Sequence, residues 1–412
     1  MVMMNRFFRL ILFAQILIIG LLPACSKEPP YPEAQRIEDY ETNRQNSLRL
    51  LTPVMYHYTD NEPEELFKIV HISDAHVSAW SHSNQTPNPR NLKEAVQFAN
   101  DVNARINVMV ATGDHISNFE KTTRSDAINY MNAFTNTLYK NNIIPTFTST
   151  GNHDVNMLNS DFTTYALSKT DIYNLLTSKI NYKFYTEGTE NYYYADLVNP
   201  MGGFIRVIAL DVTDQDVMVY NAQHNAILSQ KQIDWLCHTA LKKDMTEFHS
   251  VIILVHQPLP PDDEGLKNIV YRDYLHNWDM LPEIIETFRT KQSLTRKYEN
   301  RHHKSDSISV DVSFNDTPGE FICYLGGHLH TYLNYEVKGF PETSLPKQIM
   351  ILANNMSSSD KNESSPIERT NNGVRDNTFN LYAIDTKNKV IHITFFGATG
   401  FYYPNIIVVP YL

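Results

Sequence analysis

The sequence predicts an α/β protein whose first part is a parallel β-sheet with crossover helices. Three observations predict this class: short apolar runs that end in polar residues, helical periodicity between the runs, and glycines beside the polar residues. The first run, FKIVHI, begins at Phe67 and is followed by Asp74 and His76. Because ligands bind beyond the carboxyl ends of parallel strands, we expect a functional site where this run ends.

Length and charge limit the alternatives. The chain has 412 residues, of which 42% are hydrophobic, which is enough for one large domain or two smaller ones. Its formal net charge of -11 argues against a broad basic surface for nucleic acid or anionic membranes. No nucleic-acid partner is expected.

The N-terminus has the features of a targeting segment. Arg6 and Arg9 lie before or within the start of the apolar run LILFAQILIIGLLPA, and Ala24 precedes Cys25. We expect residues 1–24 to be a bacterial lipoprotein signal peptide and Cys25 to carry lipid. A plain signal peptide or an uncleaved membrane anchor are the alternatives. The pattern predicts a cell-envelope protein, lipid-anchored and facing the periplasm or the cell surface.

The elements then follow in order. Residues 25–64 are rich in Pro, Glu, Asn and Tyr and are predicted to be a tether. A strand over 67–72 precedes a helix over 90–104, which rests on the helical spacing of Leu92, Ala95, Val96, Ala99 and Val102. NVMVATGD, DAINYMNAFTNTLYK and IIPTFTSTGNHD continue as strand, helix and strand. The β-α-β-α-β order predicts right-handed crossovers and a parallel core.

The later elements predict a second sheet. NYYYADL and GFIRVIALDVT are neighbouring strands joined at Gly202 and Gly203, followed by the helix LSQKQIDWLCHTALKK and the strand HSVIILVHQP. An insertion of about 261–320 contains the helical pattern WDMLPEIIETF, and EFICYLGGHLH, QIMILANN, TFNLYAID and VIHITFFGA complete the strands. We expect Cys237, Cys323 and the tyrosine row to pack in the core, although the tyrosines could instead face a substrate.

Five predicted strands end in potential metal ligands. These residues are Asp74, His76, Asp114, Asn152, His153, Asp154, His256, His328 and His330. In extended chain, residues two apart point the same way, so both members of D-x-H and H-x-H can face one site. Imidazole and carboxylate groups suit Mn, Fe or Zn. Since one zinc ion uses three or four protein ligands, the surplus favours two ions that share a carboxylate.

Taken in order, DAH, GD, GNHD, VHQP and GHLH resemble the motifs of the calcineurin-like metallophosphoesterase superfamily, over roughly residues 67–400. The resemblance implies a β-sandwich of two mixed sheets flanked by α-helices, which we place at residues 65–405. The segment GDHISN lacks the tyrosine that follows the G-D motif in purple acid phosphatases, so that branch is disfavoured.

The resemblance also implies the role of each residue. One divalent ion would be bound by Asp74, His76 and His330, the other by Asn152, His256 and His328, and Asp114 would bridge them. His153 would not bind metal. It would lie near the scissile phosphate, stabilising charge or protonating the leaving oxygen, and Asp154 would orient it.

The resulting hypothesis is hydrolysis of a phosphate ester, either a diester or a monoester, by a water held between two divalent metal ions. A non-catalytic surface binding module on the same fold is the alternative, and the complete motifs argue against it. The substrate is predicted to depend on residues 261–320. We expect His71 to be structural and His302 and His303 to be exposed, while His115 is either structural or close to the substrate.

Overall fold

The structure of the chain is a computed structural model. It describes residues 33–59, 62–78, 89–118, 121–157, 162–214, 225–259, 274–275, 280–299, 307–329, 333–337, 349–353, 378–397 and 406–411. Residues 1–32, which hold the predicted signal peptide and Cys25, lie outside this description. Within the described ranges, no helix combines the length and the apolar character needed to cross a bilayer.

The described elements are as follows. The helices are α1 (Glu33–Leu51), α2 (Arg90–Ala99), α3 (Arg124–Tyr139), α4 (Phe162–Tyr165), α5 (Lys169–Leu175), α6 (Gln230–Trp235, continued by a π-helical turn over Leu236–Ala240) and α7 (Met280–Arg289). The strands are β1 (Tyr56–Thr59), β2 (Glu62–Glu65), β3 (Phe67–Ile72), β4 (Val108–Thr112), β5 (Thr146–Ser149), β6 (Tyr193–Val198), β7 (Phe204–Ala209), β8 (Asn225–Ala226), β9 (His249–Leu254), β10 (Tyr274–Leu275), β11 (Ser293–Tyr298), β12 (Ile308–Ser313), β13 (Glu320–Gly326), β14 (Leu333–Val337), β15 (Ile349–Ala353), β16 (Thr378–Asp385), β17 (Val390–Gly397) and β18 (Ile407–Pro410).

Two mixed sheets of six strands form the body of the protein. The first has the order β18-β17-β16-β3-β4-β5, in which β3, β4 and β5 are parallel. The second has the order β14-β15-β13-β9-β7-β6, in which β7, β9, β13 and β15 are parallel. This arrangement confirms the predicted α/β fold with two mixed sheets flanked by helices.

The core lies in three layers. Residues such as Ile69, Val110, Ile252 and Leu325 fill the space between the sheets. Helices α1, α2 and α3 cover the outer face of the first sheet, whereas α6, α7 and the β11-β12 hairpin cover that of the second. The central strands β3, β4 and β9 are therefore buried along their whole length, which explains their continuous apolar runs.

One predicted helix boundary differs from the structure. Helix α2 ends at Ala99 rather than at residue 104, because Asn100 turns its side chain back onto Val96 O at 2.8 Å. Val102 is consequently 83% exposed instead of lying on the buried face.

Part of the predicted tether belongs to the folded body. Helix α1 packs on β17, where Ser47 Oγ donates to Phe395 O at 3.0 Å and the rings of Tyr40 and Phe396 lie 5.7 Å apart. Because α1 buries only a few side chains, its apolar periodicity is weak, and the sequence did not reveal this helix.

Two packing predictions are confirmed. Cys237 and Cys323 are buried and unpaired. The tyrosine row from Tyr192 to Tyr194 is buried in the second sheet rather than open to a substrate. His302 and His303 lie outside the described residues, as does much of the 261–320 insertion, whose described parts are β10, α7, β11 and β12 with short flanking stretches.

Candidate metal centre

The motif residues meet at one edge of the sandwich, beyond the carboxyl ends of strands from both sheets. His328 N, after β13, donates to Asp74 Oδ1 and Oδ2, after β3, at 3.1 Å each. His256 Nδ1, after β9, donates to Thr112 O, at the end of β4, at 2.7 Å. The two sheets thus bring residues that are far apart in sequence into one site.

One group of potential ligands surrounds Asn152. Its Oδ1 lies 3.1 Å from both His256 Nε2 and His328 Nδ1, and His256 Nε2 lies 3.1 Å from Asp114 Oδ2. Ligand atoms of Asp114, His256 and His328 all lie within 4.8 Å of one another. Ligands bonded to a single ion at about 2.0–2.2 Å are separated by about 3 Å, so this spacing suits a metal ion.

A second group surrounds the other side of Asp114. Its members are His76, Asp114 and His153, whose ligand atoms also lie within 4.8 Å of one another. His76 Nε2 is 3.8 Å from Asp114 Oδ2 and 4.0 Å from Asp74 Oδ1. Asp114 is therefore common to both groups. His330, predicted as a further ligand, lies outside the described residues.

Three glycines leave the space that the ligand side chains occupy. A Cβ on Gly113 would lie 2.5 Å from the His256 ring, and one on Gly151 would lie 2.2 Å from the backbone N of Asp114. A Cβ on Gly327 would lie 1.7 Å from Ser73 Oγ and 2.5 Å from Asp74 Oδ2. The glycines of the G-D, G-N-H-D and G-H-x-H motifs thus permit close approach of the strand ends.

The backbone at the site is strained. Asp74, His76, Asp114 and His328 have φ angles of 53°, 44°, 50° and 70°, a region that L-residues seldom adopt. Strain of this kind persists where the surrounding structure requires a particular side-chain direction. Here it turns the side chains at the strand ends toward the common site.

The charges at the site are strongly coupled. Burial alone would raise the pKa of Asp114, but the imidazoles of His256, His153 and His76 hold that pKa well below the ordinary aspartate value. Burial lowers the pKa of His256, yet Asp114 more than offsets this and raises it to about 9. A proton on His256 Nε2 occupies the position that a metal ion would take, so metal binding is expected to release it.

His256 is prepared as a ligand by its second nitrogen. Because Nδ1 donates to Thr112 O, the neutral ring presents the lone pair of Nε2 to the site. Ser73 Oγ donates to the same carbonyl oxygen at 2.9 Å. The carbonyl oxygen of Thr112 therefore anchors the chain after β3, in the first sheet, and the chain after β9, in the second sheet, beside the ligands.

The orientation of His153 differs from the prediction. His153 Nδ1 donates to Asn118 Oδ1, a buried residue that the sequence reasoning did not select. Asp154, expected to orient His153, instead accepts from the backbone N of Gly151 at 2.8 Å and of His115 at 2.7 Å. Asp154 holds the loop rather than the imidazole. No spacing signal marks Asn118, since it is one polar residue in a loop.

The two other histidines near the site pack structurally. His115 stacks on Phe134 with ring centroids 4.2 Å apart and its Nε2 lies 3.0 Å from Ser149 O. His71 is fully buried, with Tyr382 OH 3.0 Å from Nδ1 and Thr112 Oγ1 2.8 Å from Nε2. The structural reading of both residues agrees with these contacts.

A sandwich whose strand ends gather imidazoles and carboxylates around one shared aspartate belongs to the class of metal-dependent hydrolases. Residues 67–332 match the family model of calcineurin-like phosphoesterases, and the chain belongs to this family. Membership implies divalent metal binding and metal-dependent hydrolysis of phosphoesters. A comparison with curated proteins finds no match.

Proposed function

We propose that this protein hydrolyses a phosphate ester with two divalent metal ions, of Mn, Fe or Zn, that share Asp114. The observation that carries the proposal is the position of Asp114 between two sets of proposed ligands: its Oδ2 lies 3.1 Å from His256 Nε2 of one set and 3.8 Å from His76 Nε2 of the other. These imidazole and carboxylate groups outnumber the three or four protein ligands that one zinc ion binds.

The ligands divide between the two ions by their surroundings. Asn152, His256 and His328 would hold one ion, since the two imidazole nitrogens lie 3.1 Å from Asn152 Oδ1. Asp74 and His76 would hold the other, together with His330. Bound there, the ions would supply a water-derived nucleophile near neutral pH and offset the charge of the phosphoryl group.

His153 is the residue proposed to act on the reacting phosphate. Its side chain is 24% exposed, whereas that of Asp114 is 1% exposed, so His153 lines the open side of the site. Asn118 holds its Nδ1, which leaves Nε2, 3.9 Å from Asp114 Oδ2, directed at the site. A proton on Nε2 can pass to the leaving oxygen. Asp154 supports this geometry through the backbone of the loop.

The substrate is proposed only as a phosphate ester. The test is hydrolysis of bis(p-nitrophenyl) phosphate and of p-nitrophenyl phosphate by metal-stripped protein resupplied with Mn²⁺, Fe²⁺ or Zn²⁺. We expect metal-dependent release of nitrophenolate from at least one of the two esters, and the ratio of rates separates diesterase from monoesterase action. Absence of hydrolysis of either ester with any of the metals would argue against the proposal.

The location proposed is the cell envelope, with a lipid anchor on Cys25. Arg6, Arg9, the apolar run and Ala24 before Cys25 support it. Mass spectrometry of the mature protein should find Cys25 at the N-terminus and carrying lipid. Another N-terminus, or an unmodified Cys25, would remove the anchor while leaving the enzymatic proposal intact.

A further inference from the structure

Side-chain hydrogen bonds join the two sheets at the edge where the metal ligands lie, and three of them connect successive pairs of facing strands. Two of them use proposed ligands directly: Asp74 accepts from His328 N, and His256 donates to Thr112 O. They join β3 to β13 and β4 to β9. Since β5 follows β4 in the first sheet and β7 follows β9 in the second, a third bridge is expected between β5 and β7.

The third bridge is formed by Thr150 and Asp211, neither of which is a proposed ligand. Thr150 follows β5 and Asp211 follows β7, and Thr150 Oγ1 donates to Asp211 Oδ1. Both residues are buried, with 1% and 0% exposure. Thr150 lies directly before Gly151 and Asn152, so the bridge ends two residues from the proposed metal ligand.

Asp211 is itself held firmly. The side chain of Gln232, on α6, pairs with both backbone groups of Asp211: N donates to Oε1 at 2.8 Å and O accepts from Nε2 at 2.9 Å. Gln232 Nε2 also lies 3.1 Å from Asp214 Oδ2, and Asp214 forms an ion pair with Lys169 on α5. Asp211 therefore cannot follow Thr150 if the loop moves.

The Asp211 carboxylate is buried and only partly hydrogen-bonded, which lowers the stability of the fold. Asp211 Oδ1 accepts from Thr150 Oγ1 and from both N and Oγ1 of Thr213, at 2.8 and 2.6 Å. Its Oδ2 is buried and has no hydrogen-bond partner among the residues that the structure describes. A buried, incompletely satisfied carboxylate lowers stability, and such local costs concentrate at functional sites.

The loop that begins at Thr150 is closely packed against Asp114. Gly151 packs so closely on Asp114 that a Cβ there would lie 2.2 Å from the Asp114 backbone N and 2.4 Å from its Oδ1. A shift of Thr150 would therefore move Asn152 and would also push Gly151 against Asp114. Three donors converging on one oxygen also favour a carboxylate over an amide at position 211.

We propose that Asp211 is a positioning residue for the metal centre. It acts through Thr150 to hold Asn152 in place for the ion that Asn152, His256 and His328 would bind. The inference rests on the proposed two-metal function. It assigns to the buried Thr150–Asp211 bridge the same purpose as the two bridges that contain ligands.

The test is metal binding by Thr150→Val, which removes the hydroxyl and keeps the shape of the side chain. Calorimetric titration of metal-free protein with Mn²⁺ should show one of the two dissociation constants raised by about 10–100-fold, the usual effect of losing a residue that supports a ligand. Thr150→Ser, which keeps the hydroxyl, should restore the wild-type constant. Asp211→Asn should change it in the same direction as Thr150→Val and provides a second variant if Thr150→Val does not fold.

Thr177→Val is the matched control, because Thr177 is also buried and its hydroxyl donates to a side-chain oxygen, Asn191 Oδ1, at 2.8 Å. It should lower thermal stability without changing either dissociation constant. Wild-type metal affinity in Thr150→Val and Asp211→Asn, with only a loss of stability like that of Thr177→Val, would overturn the inference. If wild-type protein binds only one ion, the two-metal proposal fails first and the inference falls with it.

Discussion

Gly327→Ala is the sharpest perturbation of the metal centre that the structure offers. The added Cβ would lie 2.5 Å from Asp74 Oδ2 and 2.8 Å from Ser73 Cβ, and ordinary contact begins at 3.4 Å. Ser73 Oγ can rotate away, but Ser73 Cβ cannot. To restore contact, Asp74 Oδ2 must move by about 0.9 Å.

A displacement of this size is large for a metal ligand. Designed and natural sites hold their groups within about 0.5 Å, and a misplacement of about 1 Å can cost about 10²-fold in rate. We therefore expect Gly327→Ala to lose most of the ion bound by Asp74 and His76, and to lose about 10²-fold in turnover of a nitrophenyl phosphate ester. Elemental analysis of the purified variant and steady-state kinetics measure the two effects.

Gly188→Ala is the control for a glycine-to-alanine change. Gly188 has φ +65° and nothing within 4 Å of its added Cβ, so alanine there strains the backbone away from the site. It should lower the melting temperature and leave metal content and turnover unchanged. Full metal content and wild-type turnover in Gly327→Ala would refute the argument that the Cβ displaces Asp74.

The remaining predictions concern four further residues. Asn152→Ala should lower metal content and turnover together, measured by elemental analysis and kinetics, because its side-chain oxygen is a proposed ligand. His153→Ala should keep both ions and lose about 10²–10⁴-fold in turnover, with a smaller loss for nitrophenyl than for alkyl esters; loss of metal would identify His153 as a ligand instead. Asn118→Ala should lower turnover in the same ester-dependent way as His153→Ala with unchanged metal content, and an unaltered rate would show that Asn118 does not orient His153. Burial lowers the pKa of His71 to about 3, so the contribution of neutral His71 to the free energy of unfolding is fully present above about pH 6.5 and is lost as the pH falls toward about 3. Thermal melts between pH 7 and 4 should therefore show a smaller loss of stability in His71→Gln than in the wild-type protein, and equal losses would contradict this prediction.

The positions of the ligands could be predicted because each follows an apolar run. Asp74, Asp114 and His256 each lie two residues beyond the end of a strand that is buried on both faces, and parallel strands bring their carboxyl ends to one edge. The same reasoning predicted the parallel core around β4. The pattern of residues along the chain carries this information.

The contacts between distant loops could not be predicted in the same way. Asn118 and His153 are 35 residues apart, and Thr150 and Asp211 are 61 apart. Nothing in the spacing of these residues pairs them. Asn118 and His153 meet because the loops after the neighbouring strands β4 and β5 lie side by side, and Thr150 and Asp211 meet because β5 and β7 face each other across the sandwich. The sequence therefore predicts that Asp154 orients its neighbour His153, although the Asp154 carboxylate accepts from the backbone N of Gly151 and of His115.

Helix α1 illustrates a different limit. Its periodicity is weak because few of its side chains pack against the sheet, chiefly Tyr40, Ser47 and Leu51. A helix that is stabilised by docking on β17 rather than by its own apolar stripe resembles a polar tether in sequence.

The most direct test of the account is metal titration of the stripped protein while hydrolysis of bis(p-nitrophenyl) phosphate and p-nitrophenyl phosphate is followed. We expect the stripped protein to be inactive and its rate on one of these esters to rise until about two equivalents of Mn²⁺, Fe²⁺ or Zn²⁺ are bound, and we expect Asn152→Ala not to reach that rate. Full activity at one equivalent would contradict the shared role of Asp114. Full activity without metal would contradict the account as a whole.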